Sequence, residues 1–118
     1  MPGLSISTHV LDTSTGRPAA GIRVQLEWRD GPGGDDWRVV ASGEANGDGR
    51  VPNLVPEGAA IAPGEFRLIF DTRTYFSASS TATLFPHISI VFEVAAGQTH
   101  YHVPLLLSPF GYTTYRGS

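Results

Sequence analysis

Cysteine and lysine are both absent from this chain of 118 residues. Without cysteine there is no disulfide framework and no thiolate zinc centre, so any zinc would have to be held by histidine and carboxylate. The 8 basic residues are all arginine, scattered along the chain, and 11 acidic residues outweigh them to a formal net charge of −3. That distribution offers no basic stripe for phosphates and argues against a nucleic-acid partner. No apolar stretch approaches the roughly 18 residues of a membrane span, and Met1-Pro2-Gly3-Leu4-Ser5 lacks the charged and apolar regions of an export signal. The expected setting is cytoplasmic, with no membrane partner. Internal repeats and linkers are missing too, so residues 1–118 are expected to form a single domain. A chain of this size buries roughly 60–70% of the surface its unfolded form exposes, which is one core and no more.

What the sequence has in quantity is turn chemistry, with 14 Gly and 9 Pro among 41% hydrophobic residues. Thr15-Gly16-Arg17-Pro18, Gly31-Pro32-Gly33-Gly34, Asn46-Gly47-Asp48-Gly49, Ala62-Pro63-Gly64 and Ala96-Gly97 all suit tight turns. Between them the apolar pattern has period two. Ile22, Val24, Leu26 and Trp28 alternate with Arg23, Gln25, Glu27 and Arg29, which is the signature of a half-buried strand. Comparable runs cover 4–11, 37–41, 66–70, 88–94 and 100–107, with a short one near 112–115. A single helix is predicted over Thr72 to Ser79, with Asp71 as N-cap. Six to eight strands with so little helix predict an all-β fold, a two-sheet antiparallel sandwich.

Alternation also assigns faces. On the first strand Leu4, Ile6, Thr8 and Val10 fall on the core side, leaving Ser5, Ser7, His9 and Leu11 outward. On the late strand Tyr101, Val103, Leu105 and Leu107 face the core, leaving His100, His102, Pro104 and Leu106 outward. An outer face that mixes imidazoles with Leu11, Pro104 and Leu106 is too apolar to stay fully wet, so a partner subunit is expected to cover part of it.

Three readings of His9, His100 and His102 stand side by side: surface histidines on an exposed strand, ligands of a zinc ion, or acid–base groups. His-x-His on a strand does put two rings on one face, but no carboxylate partners for them are evident in the sequence. Imidazole, with a reference pKa near ~6.5, both takes and gives a proton at neutral pH. Arg50 follows the Asn46–Gly49 turn and could hold a planar anion through two parallel hydrogen bonds if that turn folds toward the histidines. Arg116 either acts beside it or pairs with a carboxylate. Glu44-Ala45-Asn46-Gly47-Asp48-Gly49 imitates half a calcium loop, but Val55 stands at the twelfth position. Gly31-Pro32-Gly33-Gly34 lacks the Lys-Ser/Thr of a phosphate loop. Both segments are read as hairpin turns. Ser118 has no nucleophile-elbow context and is read as a positioning group.

Taken together, Thr8-His9-Val10-Leu11-Asp12, Gly16-Arg17-Pro18-Ala19, Gly49-Arg50, Tyr101-His102-Val103-Pro104-Leu105-Leu106 and the terminal Tyr115-Arg116-Gly117-Ser118 resemble the transthyretin-related 5-hydroxyisourate hydrolases. Pro86-His87-Ile88-Ser89-Ile90-Val91-Phe92 fits as well, with no catalytic expectation on His87. The resemblance implies an eight-stranded transthyretin-like sandwich with a short helix, assembled as a homotetramer, a dimer of dimers with active sites between the dimers. It implies hydrolysis of 5-hydroxyisourate, a small-molecule substrate of urate degradation, to 2-oxo-4-hydroxy-4-carboxy-5-ureidoimidazoline, with no metal and no cofactor. Carried over residue by residue, His9, Arg50, His102 and Ser118 match the catalytic set. His100, Tyr115, Arg116 and Gly117 are expected to bind or shape the site around the substrate. The competing reading is a transthyretin-like carrier of a small ligand; a structural or adhesion module is a third.

Overall fold

The computed structural model describes residues 3–31, 36–59 and 61–118, and lays them out as two sheets around a shared core with one short helix. The elements are β1 (Ser5–Asp12), β2 (Arg17–Pro18), β3 (Arg23–Arg29), β4 (Arg38–Glu44), β5 (Arg50–Val51), β6 (Gly64–Phe70), α1 (Thr72–Ser77), β7 (Ile88–Val94), β8 (His100–His102), β9 (Leu105–Ser108) and β10 (Gly111–Thr114). Strands β4-β3-β6-β7 form an antiparallel sheet. The second sheet runs β10-β9-β1-β2, with β5 and β8 also paired to β1.

The all-β sandwich is as predicted, with ten strands among the described residues instead of about eight. Of the strands beyond the seven alternating runs read in the sequence, β2 and β5 are two residues long, too short for any period to show. A further one arises because the run 100–107 is split after His102. Val103 gives its N–H to Ser7 O at 3.0 Å, and Pro104 has no N–H to give, so the ladder breaks there. The second sheet is mixed and not wholly antiparallel: β1 runs parallel to both β8 and β9. The chain crosses between sheets after β7 and so arrives alongside β1 in the same direction.

Two local expectations are corrected. Asn46-Gly47-Asp48-Gly49 is not a hairpin turn, because β4 pairs with β3 in one sheet and β5 with β1 in the other, so the turn carries the chain between sheets. Pro104 shares the side of the strand that His102 takes but is buried there, since the C-terminal segment folds over it and Thr114 Oγ1 donates to its carbonyl at 2.8 Å. Of the other glycine turn, Pro32, Gly33 and Gly34 lie outside the described residues.

Alternation fills the core from both sheets. Ile6, Val10, Leu26, Phe66, Leu68, Phe70, Leu105 and Leu107 are all fully buried, each such side chain stabilising the fold by about 1.5–3 kcal/mol. Helix α1 starts as predicted, with the Asp71 side chain accepting from Thr74 N at 3.1 Å, and presses Thr72 and Phe76 into the core. It stops at Ser77, short of Ser79, because the N–H groups of Ser79 and Ser80 turn back in tighter bonds to Phe76 O and Ser77 O.

At the end of β1, Asp12 is buried and both its carboxylate oxygens accept hydrogen bonds. Oδ1 accepts from Ser14 N and Ser14 Oγ, and Oδ2 accepts from Tyr75 Oη at 2.8 Å. Burial and then this bond push the Tyr75 phenol up to about 12. Tyr75→Phe leaves Oδ2 without its donor and is expected to cost about 1–3 kcal/mol of stability, measured by urea unfolding.

Candidate active site

Strand register assembles the site on the outer face of the mixed sheet. The β1–β5 pairing sets His9 opposite Arg50, and the β1–β8 pairing sets Ser5 opposite His100 and Ser7 opposite His102. Directly opposed residues project to the same face, so these side chains gather on one side while Ile6, Val10, Tyr101 and Val103 go into the core.

Arg50 is delivered by the turn before it. Asn46 Oδ1 accepts from Asp48 N and Arg50 N, both at 3.0 Å, folding the loop on itself. Gly49 has φ +78°, and a Cβ there would collide with the Val10 carbonyl. Only glycine lets the turn lie this close to β1 and hand Arg50 to the histidine face.

Each imidazole is held by one nitrogen. His9 Nε2 lies 2.9 Å from Asp48 O, and a carbonyl only accepts, so Nε2 carries the hydrogen. His102 Nδ1 is 2.8 Å from Ser7 Oγ, and His100 Nδ1 is 2.7 Å from Ser5 Oγ. Burial lowers the His102 pKa from its ordinary value, and the charges of Arg50, His9 and His100 push it the same way. Hydrogen bonding to the Ser7 main chain opposes that shift. Burial and these charges both disfavour the imidazolium form of His102 and favour its neutral imidazole.

The C-terminal segment closes one side. Gly117 pairs with His102 through Gly117 N to His102 O at 2.7 Å. A Cβ on Gly117 would stand 2.5 Å from His102 Cδ2 and 3.2 Å from Pro104 Cγ, so the chain lies flat on the ring only because this residue has no side chain. Arg116 anchors the segment: its guanidinium sits 4.4 Å above the Tyr101 ring and reaches Gln98 Oε1 and His100 O at 3.4 Å.

The resulting cavity has a volume of about 280 Å³ and brings together Arg50, His100, His102 and Ser118, with Ser7, Thr8 and Pro52 completing the wall. Gly117 backs the His102 ring and His9 flanks Arg50. Tyr115 and Arg116 are not brought to this cavity; they line a separate hollow with Tyr101 and Val103. A hollow of about 710 Å³ on the other sheet, lined in part by Arg23, Arg73 and His87, is larger but holds none of the converging groups. Among the described residues, no three His, Cys, Asp or Glu side chains are grouped to hold a metal ion. Ser7, Thr8 and Pro52 were not singled out from the sequence as site residues, although the alternation that put His9 outward puts Ser7 beside it.

Residues 6–117 match the HIUase/Transthyretin family. The 5-hydroxyisourate hydrolase of Salmonella typhimurium is 47% identical over 113 residues, spanning 96% of this chain and 80% of the relative. The structure of Klebsiella pneumoniae 5-hydroxyisourate hydrolase superposes with a TM-score of 0.82 at 33% identity, covering 98% of this chain and 99% of that one. Transthyretin from Sparus aurata superposes with a TM-score of 0.84 at 28% identity, covering 96% of each chain. The chain is thus a member of the HIUase/Transthyretin family.

Proposed function

We propose that this chain is a 5-hydroxyisourate hydrolase and that His102 is its general base. The observation that carries the assignment is the cavity itself, in which a neutral imidazole, a guanidinium and the terminal serine share one small space. Its volume of about 280 Å³ suits one small heterocycle. Hydrolysis of a ring acyl C–N bond needs a water to lose a proton as it attacks the carbonyl, an oxyanion to be stabilised, and the departing nitrogen to be protonated. His102 takes the proton of the water and returns it to the nitrogen. Arg50, whose guanidinium offers only donors, grips the substrate and stabilises the oxyanion. Ser118 and His100 orient the substrate by hydrogen bonds. His9, which gives its Nε2 hydrogen to Asp48 O and stands opposite Arg50 outside the cavity lining, is assigned an orienting role. The scheme uses no metal and no organic cofactor.

The carrier reading has less to support it, because the cavity walls are ionisable where a passive binder of an aromatic ligand needs apolar surface. We further assign residues 1–118 to one hydrolase domain working in the cytoplasm as a homotetramer, a dimer of dimers, in which a second subunit covers the open cavity. Support comes from the half-buried Leu11 and Leu106 beside the site and from the exposed Leu84, Phe110 and Tyr115 elsewhere on the surface. No helix among the described residues is long and apolar enough to cross a membrane.

The pH dependence tests the assignment of the base. Because the His102 pKa is lowered, the base is active above that value, and kcat/KM is expected to rise with pH along a limb whose midpoint lies below the ordinary histidine pKa of ~6.5. Arg50→Gln removes a charge that depresses this pKa, so the limb should move to higher pH while kcat/KM falls about 100- to 1,000-fold. A limb that stays in place in the Arg50 variant contradicts the assignment.

A further inference from the structure

We infer that Ser7 is a positioning residue for the hydrolysis: its hydroxyl accepts the Nδ1 hydrogen of His102 and so holds the neutral ring as the tautomer whose Nε2 lone pair faces the cavity. The inference rests on the hydrolase reading given above and adds to it the group that makes His102 a base instead of a donor.

An imidazole has two nitrogens, and only the one without hydrogen takes a proton. At His102, the Nδ1 side meets Ser7 Oγ at 2.8 Å, and the Cδ2 side lies where Gly117 leaves no room for even a methyl group. The free edge is therefore Cε1–Nε2, and the state of Nε2 decides the chemistry. A serine hydroxyl either donates or accepts, so distance alone leaves the tautomer open. The charge facing the ring decides it. Arg50 lines the same cavity and has only donors, which favours a lone pair over a second N–H facing it. Ser7 Oγ has no other partner among the described residues, so its own hydrogen is free to turn toward the cavity that Ser7 helps to line.

The serine is well placed for this task. It is only 8% exposed, in the middle of β1, and its carbonyl receives the Val103 N–H, so strand pairing fixes both partners on the two sides of the contact. It is also uncharged. A carboxylate in its place would orient the ring but raise its basicity and favour imidazolium, whereas a hydroxyl orients the ring and leaves it neutral. When Nε2 takes the proton of water, Nδ1–H stays on Ser7 Oγ; when Nε2 gives that proton to the leaving nitrogen, the starting tautomer returns without any exchange at Nδ1.

Two readouts test this, on the full chain. Nitrogen-15 spectra of histidine-labelled protein report the His102 tautomer independently of turnover. The expected spectrum has Nδ1 protonated and Nε2 unprotonated in the wild type, with mixed tautomers in Ser7→Ala. In steady-state hydrolysis, Ser7→Ala should lower kcat about 10- to 100-fold, the size of the loss when a metal-ligating imidazole loses the partner that orients its second nitrogen. KM should change little, and the acid limb should move to lower pH because the imidazolium loses an acceptor. Ser7→Thr keeps the hydroxyl and should restore both the rate and the limb. A wild-type spectrum with hydrogen on Nε2 overturns the inference, and decides the matter alone if Ser7→Ala does not fold. It is equally overturned by Ser7→Ala keeping its rate and limb while His102→Ala is inactive, or by a rate loss that Thr does not restore. A wild-type protein without hydrolase activity overturns the hydrolase reading instead, and the inference with it as a statement about catalysis; the spectra then still report the ring's tautomer.

Discussion

Replacing His102 with alanine is expected to lower the rate of 5-hydroxyisourate hydrolysis by about 10²–10⁴-fold, the contribution of a positioned general base, with the fold and assembly unchanged. The separation of activity from folding follows from where this side chain sits. Its ring is on the outer face and outside the hydrophobic core. What His102 contributes to the fold comes from its main chain: the β1–β8 pairing and the bond from Gly117 N to His102 O survive truncation at Cβ. Stopped-flow or ultraviolet rates compared with the thermal unfolding midpoint and the sedimentation coefficient check the claim. Turnover within a few-fold of wild type would remove His102 from the mechanism.

Gly117→Ala should do nearly as much damage from the other side of the ring. The added methyl would stand 2.5 Å from His102 Cδ2, closer than any Cβ contact tolerates, with Pro104 directly behind. Either the imidazole swings off Ser7 or the C-terminal segment lifts and takes Ser118 out of the cavity. Displacements of about 1 Å at a reacting group cost on the order of 100-fold in rate, and a loss of that size in kcat/KM is expected here without a change in unfolding midpoint. Non-additivity provides an internal check. In the His102→Ala background there is no ring to displace, so Gly117→Ala should add much less than its single-variant effect. Full additivity would mean that Gly117 acts through something other than His102.

Much of this site is legible in the sequence, and the reason is geometric. A period of two fixes the face of every residue on a strand, so Ile6 and Val10 inward and His9, His100 and His102 outward followed from spacing alone. Arg50 was legible only conditionally. Its role depends on the turn before it folding toward the histidines, and Gly49 packed against the Val10 carbonyl is what achieves that. Three features were not legible because they depend on contacts distant in sequence. Pro104 is buried by Thr114 and Gly117, which no local pattern announces. The parallel pairing of β1 with β8 and β9 follows from the crossover after β7. The contact of Ser7 with His102 joins residues 95 positions apart, through a register that alternation constrains but does not determine. Arg116, which the sequence left between substrate and carboxylate, stacks on Tyr101 instead and holds the segment that presents Ser118.

The most direct test of the central claim is the ultraviolet decay of 5-hydroxyisourate generated in place from urate by urate oxidase, followed with and without this protein in metal-chelating buffer. Accelerated decay in the presence of chelator, lost in the His102→Ala variant, is the predicted result. Decay at the spontaneous rate would contradict the hydrolase assignment, and acceleration that appears only after zinc is added would contradict the metal-free role of His102.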